Sequence, residues 1–377
     1  MRPLSVLVSL VVAAAAVAAE PDKDGFVPMF NGKDLTGWVN VNTHPGTFFV
    51  KDGMIITTGK PTGYLRTDKQ YENFVADFEW MHLPDKPGAV GNSGFFVWAD
   101  PIPAVGTGYT RGIEVQVLVN LEYHDKKTNA ITATSHGDLF SIWGAHCTPD
   151  RPHPLGWERC LPNENRAKGA GEWNHYRVEA NDGRITLEVN GKVVSGISKC
   201  TPRKGYLALE SEGSECRFRN LKIKELPSTN PKPAEVADED KGHKSLFNGL
   251  DLGGWKTEDG SWKAAGGHLR ATGKADLVSE KTYKTFELVF DFKIPAGSKA
   301  EWSVEFGKDP SFKMNNPGLD YRGAWTRVVA TTDKLGVSGA INGRPVVRDG
   351  SAPGPGPIRF KPAEGLEIMN VFVREMK

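Results

Sequence analysis

The sequence predicts an all-β protein of two jelly-roll sandwiches in tandem, on three observations. Short apolar stretches alternate at period two, as in residues 74–80 and 286–292, and end in Gly, Pro and Asn turns. No segment of about 12 residues keeps the 3.6 period of an amphipathic helix. A nine-residue pattern occurs twice, as Phe30-Asn31-Gly32-Lys33-Asp34-Leu35-Thr36-Gly37-Trp38 and as Phe247-Asn248-Gly249-Leu250-Asp251-Leu252-Gly253-Gly254-Trp255. Self-similarity of this kind marks a repeated structural unit.

Taken in order, the chain begins with Arg2 and an apolar run over residues 4–19 that ends in small residues. This reads as a signal peptide over residues 1–19, so the protein is expected to be exported, to the periplasm or outside the cell. No later stretch is long and apolar enough to predict a membrane span. The first sandwich is expected over residues 25–226 and the second over 245–377. Residues 227–244, with Ser-Thr-Asn-Pro-Lys-Pro and an Asp-Glu-Asp run, read as a solvated linker between them. Leu65, Tyr71, Phe74 and Phe78 answer Leu277, Tyr283, Phe286 and Phe290 at one offset. Asn190-Gly191 and Asn342-Gly343 each turn a hairpin of alternating residues.

The 47 Lys and Arg nearly balance 46 Asp and Glu, which removes the electrostatic case for a nucleic-acid partner. Four cysteines in an exported chain suggest disulfides, and pairing Cys147 with Cys160 and Cys200 with Cys216 closes two short loops. No zinc-type spacing is present.

The copies differ where function is expected. The first holds about 60 residues between Phe78 and Trp173 that the second lacks between Phe290 and Trp325. A sandwich that folds without such a segment does not need it for its core. Within the addition, Gly112-Ile113-Glu114-Val115-Gln116-Val117-Leu118 reads as a strand. Alternation places Glu114 and Gln116 on one face, either a sugar-binding face or merely a solvated one. His136-Gly137-Asp138 could pair a base with its orienting carboxylate, or supply ligands to a divalent cation, or form a plain loop. Asn92, in Gly-Asn-Ser-Gly, could donate to a sugar hydroxyl, and Trp143 and Tyr109 could stack on a sugar ring. The face carrying Glu114 continues with Gln116, Leu118 and Asn120, so the paired acids of a conventional retaining glycosidase are missing from that strand.

The opening F-N-G-x-D-L-x-G-W, the G-N-S-G-F-F, the G-I-E-V-Q-V-L, the E-W-N and the F-R-N-L-K-I, in that order, resemble the 3-keto-disaccharide hydrolase family. The resemblance implies a concanavalin A-like lectin/glucanase fold. It also implies cleavage of glucosides or oligosaccharides already oxidised at C3, by removal of the C2 proton, β-elimination and hydration. Carried over, Glu114 or His136 is the base, Asp138 stands beside it, and Gln116 with Asn92 holds hydroxyls. Two departures stand out: Val119-Asn120 replaces the Asp-Asn after the E-V-Q strand, and Glu210 and Glu212 replace a Gln and a His. The second copy lacks E-V-Q, H-G-D and G-N-S-G and reads as non-catalytic. A lectin that binds sugar without turnover is the alternative.

Overall fold

The repeated nine-residue motif folds the same way at both positions in the computed structural model, which describes residues 20–258, 260–308, 313–315, 321–349 and 352–376. Asn31 Oδ1 accepts the N–H groups of Lys33 and Asp34, and Asn248 Oδ1 those of Leu250 and Asp251. The motif's indoles, Trp38 and Trp255, donate to the carbonyls of Met29 and Leu246 at 3.0 and 2.9 Å. An Asx turn therefore folds the chain back so that a buried tryptophan can satisfy its one donor. The motif is structural, and it starts each sandwich.

Each sandwich packs two antiparallel sheets. In the first, a seven-stranded sheet runs Arg159–Cys160, Leu139–Ile142, Gly112–Val119, Gly91–Ala99, Tyr206–Ser211, Gly63–Thr67, Trp38–Val41. It faces a nine-stranded sheet ordered His146–Pro149, Lys192–Thr201, Arg184–Val189, Asn174–Asn181, Phe74–Leu83, Glu215–Glu225, Met54–Thr57, Phe48–Lys51, with Val27–Pro28 beside Glu215–Glu225. The second sandwich repeats this strand order in sheets of five and eight strands. Aromatic side chains fill both cores, for example Phe78 against Phe95 at 4.8 Å and Phe290 against Phe360 at 5.1 Å between ring centroids.

Both Asn-Gly hairpins form as expected. Asn190 and Gly191 take φ of 47° and 86°, Asn342 and Gly343 take 46° and 76°, the left-handed pair a type I′ turn demands. The extra segment of the first copy supplies the edge strands Leu139–Ile142 and Arg159–Cys160 to one sheet and His146–Pro149 to the other. It also supplies a separate two-stranded ribbon, Glu122–His124 with Ile131–Thr134. The addition thus widens the sheet that carries the Glu114 strand.

Two expectations meet the structure differently. All four cysteines are free, buried thiols. Cys200 and Cys216 lie on strands separated by three others in one sheet. At about 4.8 Å per strand this is far beyond disulfide reach. Proximity in sequence closed a loop that sheet order keeps open. The 227–244 segment is mostly exposed, as expected of a linker, but it is bound along the first sandwich rather than free. Arg66, 1% exposed, pairs with Asp240 at 2.7 Å, and Ala237 N–H donates to Lys204 O. A buried guanidinium requires a counter-charge, and the acidic run supplies it. The leader over residues 1–19 lies outside the described residues. Among the described residues no helix is long and apolar enough to cross a membrane.

Candidate active site

The Gly112–Val119 strand pairs with Gly91–Ala99 on one side and Leu139–Ile142 on the other. Its alternation sends Ile113, Val115 and Val117 into the core. Glu114 and Gln116 point to the opposite face, yet each is only 7% exposed. The face is therefore not solvated: it is the floor of a pocket of about 200 Å³. Asn92, Tyr109, Glu114, Gln116, Phe140, Trp143, Arg159 and Glu212 line it, with Leu118, Tyr123 and Ala133. This is smaller than the roughly 300 Å³ at the low end of ordinary ligand pockets and suits a single sugar ring.

The strand register gathers acids that are remote in sequence. Gly94 lies opposite Gln116, and a Cβ there would stand 2.9 Å from Glu114 Oε1 and 3.0 Å from Glu210 Oε2. Glycine is needed because two carboxyl groups converge over it from the flanking strands. The second acid that the Glu114 strand lacks is thus supplied by Tyr206–Ser211, on the far side of the intervening Gly91–Ala99 strand. Glu210 is 1% exposed, does not line the pocket, and lies against the Glu212 carboxyl. Burial, then the charges of Glu114 and Glu212, raise its carboxyl well above the ordinary range. Glu210 thus shares the face of Glu114 but is covered from solvent, and its surroundings favour the protonated carboxyl.

Glu114 does face the pocket. Burial first, then the Glu212 charge, push its carboxyl up to about 8, against a lowering by the Arg159 guanidinium. Glu212 accepts hydrogen bonds from Tyr109 Oη at 2.7 Å and from Asn92 Nδ2. Gln116 Nε2 donates to Asn92 Oδ1 at 3.0 Å, and its Oε1 accepts from Arg159 Nη2 at 3.1 Å. Tyr109 lies parallel to Trp143, with ring centroids 6.2 Å apart, and Trp143 remains 53% exposed. Glu114, Gln116, Asn92, Tyr109 and Trp143 are accordingly brought together.

His136 and Asp138 are not on the pocket wall. Asp138 is fully buried and accepts from Arg159 Nε at 2.6 Å, Thr134 Oγ1 at 2.6 Å and Thr134 N–H at 3.0 Å. Its carboxylate therefore acts on the pocket through Arg159, whose guanidinium also lies 3.9 Å from the Phe140 ring centroid. The turn at Gly137 packs against Leu187, Val189 and Val194 and leaves His136 half-buried with Nδ1 unpartnered. Burial lowers its basicity. Arg159 itself escaped the sequence reading: it sits on a two-residue edge strand with no periodicity to announce it. Among the described residues no group of three His, Cys, Asp or Glu side chains is placed to hold a metal ion.

The Glu212 charge has a direct consequence for titration. Replacing it in Glu212→Gln removes the largest charge that raises Glu114, so the pH midpoint of any activity that needs ionised Glu114 is expected to fall. A shift of about one unit would correspond to about 1.4 kcal/mol. A pH profile of kcat/KM for wild type and variant measures it, and an unchanged midpoint would show that Glu114 is not the titrating group.

Known proteins resemble this architecture. A 3-keto-disaccharide hydrolase of Bacteroides thetaiotaomicron is 21% identical over 253 residues, 54% of this chain and 80% of that protein. A crystal structure of a candidate glycosyl hydrolase from Parabacteroides distasonis ATCC 8503 aligns with a TM-score of 0.40 and 24% identity, covering 54% of this chain and 95% of the other. The carbohydrate-binding module CBM66 of Bacillus subtilis aligns with a TM-score of 0.36 and 11% identity over 50% and 95% of the two chains. A family profile described as the 3-keto-alpha-glucoside-1,2-lyase-like domain matches residues 25–224 and 242–327, more than half of the sequence, and the chain belongs to that family.

Proposed function

We propose that the first sandwich cleaves glycosides already oxidised at C3, with Glu114 as the base. One observation carries this reading. Glu114 is a pocket carboxyl whose basicity is raised, and it stands between the buried Glu210 carboxyl and the Arg159 guanidinium. Of the two acids near Glu114, Glu210 is buried away from the pocket, and Glu212 is engaged by Tyr109 Oη and Asn92 Nδ2, an arrangement that favours elimination over double displacement.

A ketone at C3 acidifies the C2 proton. Ionised Glu114 takes that proton, the electron pair moves into a C2–C3 enolate, and negative charge develops on O3. Arg159, braced by Asp138, is the positive group available to meet that charge. The C1 substituent then leaves with its bonding electrons, and the proton held on Glu114 is available to the departing oxygen. Water added across C1–C2 completes a net hydrolysis. Asn92 and Gln116 supply amides for sugar hydroxyls, and the Tyr109–Trp143 pair offers an aromatic face.

In the second sandwich, Lys313 and Lys361 occupy the register positions of Glu114 and Glu210. Neither acid is kept there, and Glu305, buried on the strand between them, lies 3.6 Å from Lys361 Nζ, which supports a non-catalytic role. Export through the apolar leader belongs to the same proposal.

The test is release of aglycone from a 3-keto aryl glucoside, with and without chelator, beside the unoxidised glucoside. Release from the keto substrate alone is the expected result. Equal cleavage of the unoxidised sugar would replace elimination by ordinary hydrolysis. Binding without release would favour the lectin reading, which the exposed Trp143 platform supports.

A further inference from the structure

The pocket floor does not continue across the sheet. Two rows of outward-facing residues run from it, Gln116–Gly94–Glu210–Tyr64–Val41 and Glu114–Phe96–Ala208–Arg66. In an isolated sandwich these rows would form an open path for a sugar chain. Here Val41, Tyr64, Phe96 and Ala208, together with Ala99 and Tyr206, pack against Val289 and Phe372 of the second sandwich, and none of the six is more than 4% exposed.

The contact is fixed rather than merely touching. Asp291, fully buried, accepts from Gly106 N–H at 2.9 Å, and Arg327 Nη2 donates to Pro103 O at 2.8 Å. Asn370 Nδ2 donates to Thr107 O at 2.9 Å, while Arg327 Nε and Asp291 Oδ1 meet at 2.7 Å. The Trp325 ring lies so close to Gly106 that a Cβ there would stand 2.3 Å from it. The segment held this way ends in Tyr109, whose hydroxyl reaches Glu212 in the pocket. In the first sandwich the corresponding residues Glu79, His175 and Asn220 line a surface crevice instead.

We infer that the second sandwich is the end wall of the sugar site, with Val289 and Phe372 as the stop and Asp291, Arg327 and Asn370 as the clamp. The wall makes the site a blind pocket that takes the terminal unit of a short glycoside and excludes internal units of a polymer. This deepens the reading above, since it rests on the pocket receiving sugar.

The full chain would be titrated calorimetrically with linear gluco-oligosaccharides of one to four units. Turnover would be compared on a 3-keto disaccharide and on an oligosaccharide whose keto unit is internal. The expected results are a Kd that changes by less than about twofold from two to four units and turnover confined to the terminal unit. Affinity that keeps rising with length, or equal internal cleavage, would overturn the wall. A length limit on binding without keto-specific release would keep the wall and overturn the proposed chemistry. Absence of both binding and turnover would overturn both. Val289→Ala, and the more severe Phe372→Ala, should relax the limit. A folded variant of either kind with an unchanged limit would show that the second sandwich does not set it.

Discussion

Glu114→Gln should lose about 10³-fold in kcat on a keto glycoside, the size of a general-base contribution, while the protein becomes more stable at neutral pH. Both effects have one origin. The carboxyl is buried with a like charge, Glu212, as its next perturbation, so folding raises it from 4.5 to about 8. A group raised on folding gives its full stability below its unfolded value and loses it as pH rises through the folded one. Wild-type stability should therefore decline between about pH 4.5 and 8, and the glutamine variant, which cannot ionise, should escape that decline. The gain is on the order of a few kcal/mol at most. Thermal melts of both proteins across this window, with single-turnover assays, measure the two halves together. A variant that loses activity and stability alike would mark Glu114 as structural.

The second large effect concerns Asp138→Ala. Its carboxylate is fully buried and satisfies Arg159 Nε, Thr134 N–H and Thr134 Oγ1. Removing it leaves the Arg159 guanidinium, 13% exposed, without its directly paired carboxylate. Breaking a buried pair in this way costs about 3–5 kcal/mol, or roughly 10 °C in Tm for a unit of this size. Denaturant unfolding monitored by tryptophan fluorescence gives the value. Arg159 also holds Gln116 Oε1, so activity should fall at temperatures where the variant is still folded. A loss below 1 kcal/mol would mean that water replaces the carboxylate. Asp138 is on this argument a positioning residue, acting on the pocket through Arg159.

Much of the architecture was legible along the chain because its causes are local. The Asx turn before each buried tryptophan uses bonds between residues two and nine apart, and the Asn-Gly hairpins need only two left-handed residues. Alternation alone placed Glu114 and Gln116 opposite Ile113, Val115 and Val117, since a strand has a fixed period of two. The family resemblance followed from the order of these signals, but the Glu114 strand is not peculiar to the added segment: Lys313–Asn315 takes its place in the second copy.

What the chain alone could not decide depends on which strands become neighbours. Glu210 and Glu212 are about a hundred residues from Glu114 in sequence, and only the pairing of Tyr206–Ser211 with Gly91–Ala99 brings them to it. The same pairing logic separates Cys200 from Cys216 and turns Asp138 toward Arg159 rather than the ligand. Burial then sets the chemistry, because a carboxyl's basicity is decided by the solvent and charges around it and not by its own sequence neighbours. The second sandwich shows the same division. Its strands were predictable from its residues, but its role as a cover over Tyr64 and Phe96 arises from a contact between surfaces that no local pattern encodes.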